Sequence, residues 1–236
     1  MLFGAILAGG VGSRMNIDSM PKQFLPLGSK PIFMHTLEKF LLCDQFDAVY
    51  LGVHGDWVDF VEDALSTAGL ADAPVRVVKG GADRNGTIMS IIEGIEREFG
   101  ESDEHVIVTH DSVRPFVKLS TIRANIDAMA HCDACDTVIP ATDTIVCSEG
   151  GEFIDSIPVR DFMFQGQTPQ TFRINALKRA FAELTEDEKS VLTDACKMLV
   201  LKGRPVAMVE GDVTNIKLTT IMDYKVAQAM LESGVE

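Results

Sequence analysis

FGAILAGGVGSRM (residues 3–15) and PKQF (residues 21–24) form the stretch on which the fold turns. Phe3 to Ala8 make a short apolar run of the kind that builds a buried strand, and glycines at positions 9, 10 and 12 follow at once. Without a Cβ in the way, the backbone amides of Gly9, Gly10 and Gly12 can turn toward an anion. Arg14 and Lys22 place two positive charges on the same loop. The glycine spacing is neither GxGxxG nor GxxxxGK[ST], so it supports neither a dinucleotide fold nor a standard ATPase loop.

Outward from this turn, short apolar runs alternate with amphipathic stretches, the pattern of a mostly parallel sheet covered by helices on both faces. Strands are expected at 48–53, 75–78, 105–110, 136–141 and 205–209. Helices are expected after Pro31 and over 56–68, 87–99, 120–130, 175–184, 187–201 and 221–231. DTIVC (143–147), the turn SEGG (148–151) and EFIDSI (152–157) predict a two-stranded hairpin projecting from the sheet. Such an arm cannot bury itself alone. One domain over 1–236 with an inserted arm at about 142–165 is the simplest organisation, and no internal repeat or linker interrupts it.

Composition sets bounds on function. The 236 residues suffice for a sizeable core, with about 70% of the unfolded chain's area hidden on folding. The 35 Asp and Glu outnumber 21 Lys and Arg for a net charge of −14, which disfavours nucleic acid or anionic membrane as a partner. Any phosphate site must therefore be a local concentration of positive charge. No apolar run is long enough for a membrane span, and MLFGAILAGG lacks a basic n-region, so a cytoplasmic location is expected. The five cysteines are odd in number and irregular in spacing, which favours reduced thiols. Cys132 and Cys135 form one CxxC, without the second pair a zinc site needs and at the close of a helix, where a thioredoxin-like pair would open one.

Asp111 follows the strand HVIVTH and so stands at the carboxyl edge of the sheet, where a carboxylate can hold Mg²⁺ against phosphates or simply cap a turn. Arg114 is read as a structural ion-pair partner, and Arg84 as either a loop closer or a surface ion pair. No histidine cluster and no nucleophile paired with a base stands out.

LAGGVGSRM followed by PKQF resembles the signature of the sugar-phosphate cytidylyltransferases, the group containing the methylerythritol phosphate and ribitol 5-phosphate enzymes. GGADRNGTI (80–88), THDSVRPF (109–116), the PVRD to QTPQ stretch (158–170), TDAC (193–196) and NIKLTT (215–220) resemble later motifs of that family in the same order. The resemblance implies a Rossmann-like, doubly wound, mostly parallel sheet with a protruding β-arm through which two subunits pair. It also implies CTP contacts from Leu7, Ala8, Gly9, Gly10 and Gly12, from Gly81, Ala82 and Thr87, and from Asp111 and Ser112. Catalytic charge is implied for Arg14, Lys22 and Lys217, and a Mg²⁺ ligand for Asp111. Arg160 and Thr168 match residues that hold the second substrate's phosphate. Thr144 is a further candidate for that pocket, or a β-branched strand filler.

The reaction so implied is direct displacement, with the phosphate of a polyol phosphate attacking the α-phosphorus of CTP and pyrophosphate leaving. TDAC and IPVRDFMFQGQTPQ (157–170) look closer to the ribitol 5-phosphate branch, which makes CDP-ribitol for teichoic-acid or capsular polymers. Ala195 stands where methylerythritol members usually have a second acidic residue. Methylerythritol 4-phosphate is the alternative acceptor, and a non-catalytic CTP-binding module the rival from another class.

Overall fold

The computed structural model describes residues 1–10 and 20–234. Gly12 and Arg14 lie outside the described residues.

β1 (Leu2–Ala8) is the centre of the molecule. A two-residue ribbon, β2 (Pro26–Leu27) with β3 (Lys30–Pro31), leads into α1 (Ile32–Cys43). Then come β4 (Ala48–Val53), α2 (Val58–Thr67), β5 (Val75–Lys79), α3 (Arg84–Phe99), β6 (Val106–Asp111), α4 (Leu119–Ala128) and β7 (Ala134–Pro140). β8 (Phe164–Arg173), α5 (Ile174–Ala182), α6 (Glu186–Ser190), α7 (Cys196–Leu201), β9 (Ala207–Glu210) and α8 (Ile221–Glu232) complete the order. The main sheet has seven strands in the order β5-β4-β1-β6-β8-β7-β9. Its pairings are parallel except where β8 meets β6 and β7, so β8 alone runs against the others. This is the mostly parallel, Rossmann-like arrangement expected.

Alternation along β1 divides the core. Phe3, Ala5 and Leu7 pack with Ile88, Ile91 and Ile95 of α3 on one face. Ile6 and Ala8 pack with Phe33, Leu37 and Phe40 of α1 on the other, as the period of two in a strand requires. The chain moves outward from β1 through β4 to β5, then returns to place β6 on the other side of β1. That reversal opens a crevice beyond the carboxyl ends of the strands, where open α/β sheets bind ligands.

Four expectations are corrected. The arm is not a two-stranded hairpin: a single bridge, Cys147 to Ser156, joins its two limbs. Side chains take the bonds a ladder would use, since Ser148 Oγ donates to the Phe153 carbonyl (2.6 Å) and Asp155 accepts from the Glu149 amide (2.6 Å). The helix expected over 187–201 is two helices, α6 and α7. Ser190 Oγ turns back to the Asp187 carbonyl (2.7 Å), and Asp194 starts the next helix by accepting from the Lys197 amide (2.9 Å). α3 begins at Arg84 and not Thr87, because Asp83 caps it through the Gly86 amide at 2.7 Å. Finally, the stretch 164–173, legible in the sequence only as a motif, is the ten-residue strand β8.

Candidate active site

The carboxyl ends of β1, β4, β5 and β6 border an open cleft of about 750 Å³. Leu7, Gly9 and Gly10 form one side of it, and Gly81, Ala82 and Arg84 another. Lys22, Asp111, Ser112 and Lys217 also face it, so residues expected at the site from five separate parts of the chain meet in one place.

The glycine turn is held by Gln23, whose side-chain amide donates to the Ala8 carbonyl (2.8 Å) and the Gly10 carbonyl (2.7 Å). With both carbonyls engaged, PKQF anchors the end of β1 while the 3-10 turn Lys22–Phe24 carries Lys22 to the cleft. Across the cleft, a Cβ on Gly81 would lie 2.4 Å from the carbonyl carbon of Gly86, so only glycine allows this loop to close on the start of α3.

Asp111, the last residue of β6, is the electrostatic centre. Arg84 Nε lies 3.1 Å from its Oδ1, Lys217 Nζ 2.8 Å from its Oδ2, and Arg114 Nε 3.8 Å from Oδ2. Burial alone would raise the carboxyl's pKa, but Arg84, Lys217 and Arg114 together outweigh it and hold the group well below the usual carboxylate range. Lys217 is placed by its neighbours: the Asn215 side chain donates to the Thr168 carbonyl (2.7 Å), and the Leu218 amide donates to the Val113 carbonyl (2.9 Å). Arg114 reaches the Asn215 carbonyl at 2.7 Å and is buried, the structural role expected of it.

Beneath Asp111, the Thr168 hydroxyl accepts from the Asp111 amide (3.2 Å), so its own proton points to His110 Nδ1 at 2.9 Å. His110 Nε2–H then donates to the Arg114 carbonyl at 3.2 Å. Burial pushes this imidazole down to about 4, so it is neutral with both nitrogens engaged, and is no general base.

The remaining expected residues sit elsewhere. Ala8 and Thr87 are buried behind the cleft, with the Thr87 hydroxyl bonded to the Asp83 carbonyl (2.8 Å). Thr168 is 3% exposed. Arg160 and Thr144 are exposed on the arm, where Arg160 donates to the Thr142 carbonyl (3.4 Å), and neither lines this chain's cleft. Cys132 and Cys135 are free thiols, and burial pushes Cys135 up to about 12. Sequence reasoning missed Gln23 and Gln170. The signal for each was its place in a motif, Gln23 in PKQF and Gln170 at the end of QTPQ.

The model of the family IspD, 2-C-methyl-D-erythritol 4-phosphate cytidylyltransferase, matches residues 3–233. The chain belongs to that family. It is thus a cytidylyltransferase of the sugar-phosphate group. The crystal structure of 4-diphosphocytidyl-2C-methyl-D-erythritol synthase from Anaerococcus prevotii is similar with a TM-score of 0.79 and 26% identity over 98% of each chain. The 2-C-methyl-D-erythritol 4-phosphate cytidylyltransferase of Francisella tularensis is 24% identical, with a TM-score of 0.80 over 97% of this chain and 98% of that one. Its counterpart from Thermus thermophilus is 24% identical, with a TM-score of 0.72 over 98% of this chain and 100% of that one. The last two likenesses speak for the fold alone. All three names carry methylerythritol, and none supports the nearer likeness to the ribitol branch read from residues 157–170 and 193–196.

Proposed function

We propose that this cleft joins CTP to a polyol phosphate, giving a CDP-polyol and pyrophosphate. The observation that carries the reading is Asp111, a buried carboxylate met by Lys217 at 2.8 Å and Arg84 at 3.1 Å, opposite a glycine turn at the switch point of the sheet. An oxygen of the polyol phosphate bonds to the α-phosphorus, and the bond from that phosphorus to the bridging oxygen breaks. The attacking phosphate is largely ionised at neutral pH, its second pKa being near 6, so no general base is required. The engaged, neutral His110 is consistent with that. Lys22 and Lys217 neutralise phosphate charge from two sides of the cleft, with Arg14 a further cation in the same role. Gly9, Gly10, Gly81 and Ala82 offer backbone to the nucleotide, and Ser112 lies beside Asp111.

The donor chemistry fits Mg²⁺, which usually takes one or two carboxylates together with substrate phosphates and water. Asp111 would hold it, and the ion would neutralise charge on the triphosphate. Among the described residues no group of three His, Cys, Asp or Glu side chains forms an all-protein cage.

The arm is proposed to pair two copies. Phe153 (79% exposed) and Phe162 (75%) stand in water with Ile154 and Val159, an apolar surface that a second copy would cover. Arg160 and Thr144 then serve the partner's cleft, while Thr168 supports Asp111 from below. No helix among the described residues is long and apolar enough to cross a membrane.

As acceptor, the family model and the Anaerococcus prevotii synthase support methylerythritol 4-phosphate ahead of ribitol 5-phosphate. Ribitol 5-phosphate is the second reading, favoured by Ala195 after Asp194 and by the run 157–170. Pyrophosphate release from CTP and Mg²⁺, measured with each acceptor, tests both. A clear excess in kcat/KM for one acceptor, lost in Lys217→Ala, is expected. Bound CTP with no release in the presence of either acceptor would overturn the reading and leave a CTP-binding module.

A further inference from the structure

Behind the cleft, three side chains that do not line it form a directed relay to Arg84. Gln170 of β8 is 1% exposed. Its Nε2 donates to Asp136 Oδ1 at 3.0 Å and to Asp194 Oδ2 at 3.2 Å. Both neighbours on that side are carboxylates, so the amide nitrogen must face them and Oε1 must face the other way. There it accepts from Arg84 Nη2 at 3.1 Å, while Arg84 Nε reaches Asp111 Oδ1 at 3.1 Å. Asp194 is itself fixed by the Lys197 amide at 2.9 Å.

The guanidinium is thereby divided. One edge could engage a carboxylate in two parallel hydrogen bonds, the preferred Arg–carboxylate geometry. Instead Nε alone meets Asp111, Nη2 is held by Gln170, and Nη1 is buried without a partner. We infer that Gln170, oriented by Asp136 and Asp194, is a positioning residue that holds Arg84 to a one-armed contact with Asp111 Oδ1, leaving Oδ2 to Lys217 and Arg114. Burial, with the neighbouring Asp194 charge, raises the Asp136 carboxyl to about 6 although the Gln170 hydrogen bond opposes the shift. The inference rests on the cleft being the site of cytidylyl transfer.

The test uses the full-length protein with two readouts, the Arg84 Nε–H resonance and the separate values of kcat and KM for CTP. Arg84→Lys identifies the resonance. In Gln170→Met the resonance should move as the guanidinium turns, and kcat should fall about tenfold, equivalent to about 1.4 kcal/mol, with KM for CTP changed less than about twofold. Asp136→Ala, at a half-buried position, should shift the same resonance and lower kcat severalfold should Gln170→Met fail to fold. Asp136→Asn keeps an acceptor oxygen and should restore both readouts toward wild type. A folded Gln170→Met or Asp136→Ala protein with an unmoved resonance and wild-type kcat overturns the inference. Wild-type turnover in Lys217→Ala would instead overturn the reading of the cleft, and the Arg84 resonance reports on the relay in either event.

Discussion

Replacing Asp111 by Asn tests the electrostatic centre most directly. The carboxylate has 9% of its side chain exposed, and Arg114 (10%) and Arg84 (22%) are nearly as enclosed, whereas Lys217 is 42% exposed and more fully screened by water. At an effective dielectric of about 20, each close contact near 4 Å is worth about 4 kcal/mol before desolvation is subtracted. Removing the charge leaves two enclosed guanidinium groups facing each other, and breaking a buried pair from one side costs about 3–5 kcal/mol. Asn keeps the shape, so a loss of about 3 kcal/mol is expected at pH 7. The pH dependence follows from the sign of the shift. Asp111 has a depressed pKa in the folded protein, so its contribution is full above the unfolded value near 4 and is lost as pH falls toward the folded value. Urea unfolding followed by circular dichroism, for both proteins between pH 8 and 3.5, should give a constant difference down to about pH 5 that narrows below it. A difference under about 1 kcal/mol at pH 7, or one that does not narrow in acid, would refute the reasoning.

Asp136 should behave in the opposite sense. Its folded pKa is raised to about 6, so its contribution is full below about pH 4 and lost as pH rises through 6; Asp136→Asn should therefore stabilise the protein by about 2 kcal/mol at pH 7.5 and by little at pH 4, read from the same unfolding curves. Shared sites predict complementation: Lys22→Ala and Arg160→Ala chains, unfolded and refolded together, should recover roughly a quarter of wild-type activity, because about half of the dimers are hybrids with one intact site of two. Hybrid dimers confirmed by mass but as inactive as their parents would place Lys22 and Arg160 in the same chain's site.

Some of this protein is legible without coordinates because the interactions responsible are local. Ala48–Val53 reads as a strand because every one of its residues is buried, and Ile32, Phe33, Leu37 and Phe40 read as one helix face because all four are buried on the same side of α1. Gly9 and Gly10 after β1, Asp111 at the end of β6 and Lys217 beyond β9 follow from where those strands end. β8 is not legible because FQGQTPQTFR buries Gln167, Thr168, Gln170 and Thr171, polar residues that a strand tolerates inside only when distant partners satisfy them. Those partners include Asn215, Asp136, Asp194 and Arg84, brought in from four separate parts of the chain. The arm, whose sequence reads as a hairpin, shows the converse. Its β-branched and aromatic residues suit a strand, yet Val146, Phe153, Ile154 and Ile157 stay exposed on their own chain, and local side-chain bonds outcompete the ladder. Periodicity and glycine placement thus determine the sheet and the position of the cleft, since they depend on steric and hydrophobic rules within a few residues. Which atom of Gln170 faces Arg84, and so how Arg84 meets Asp111, is decided only by tertiary structure, because a buried hydrogen bond exists only when folding has brought both of its partners together.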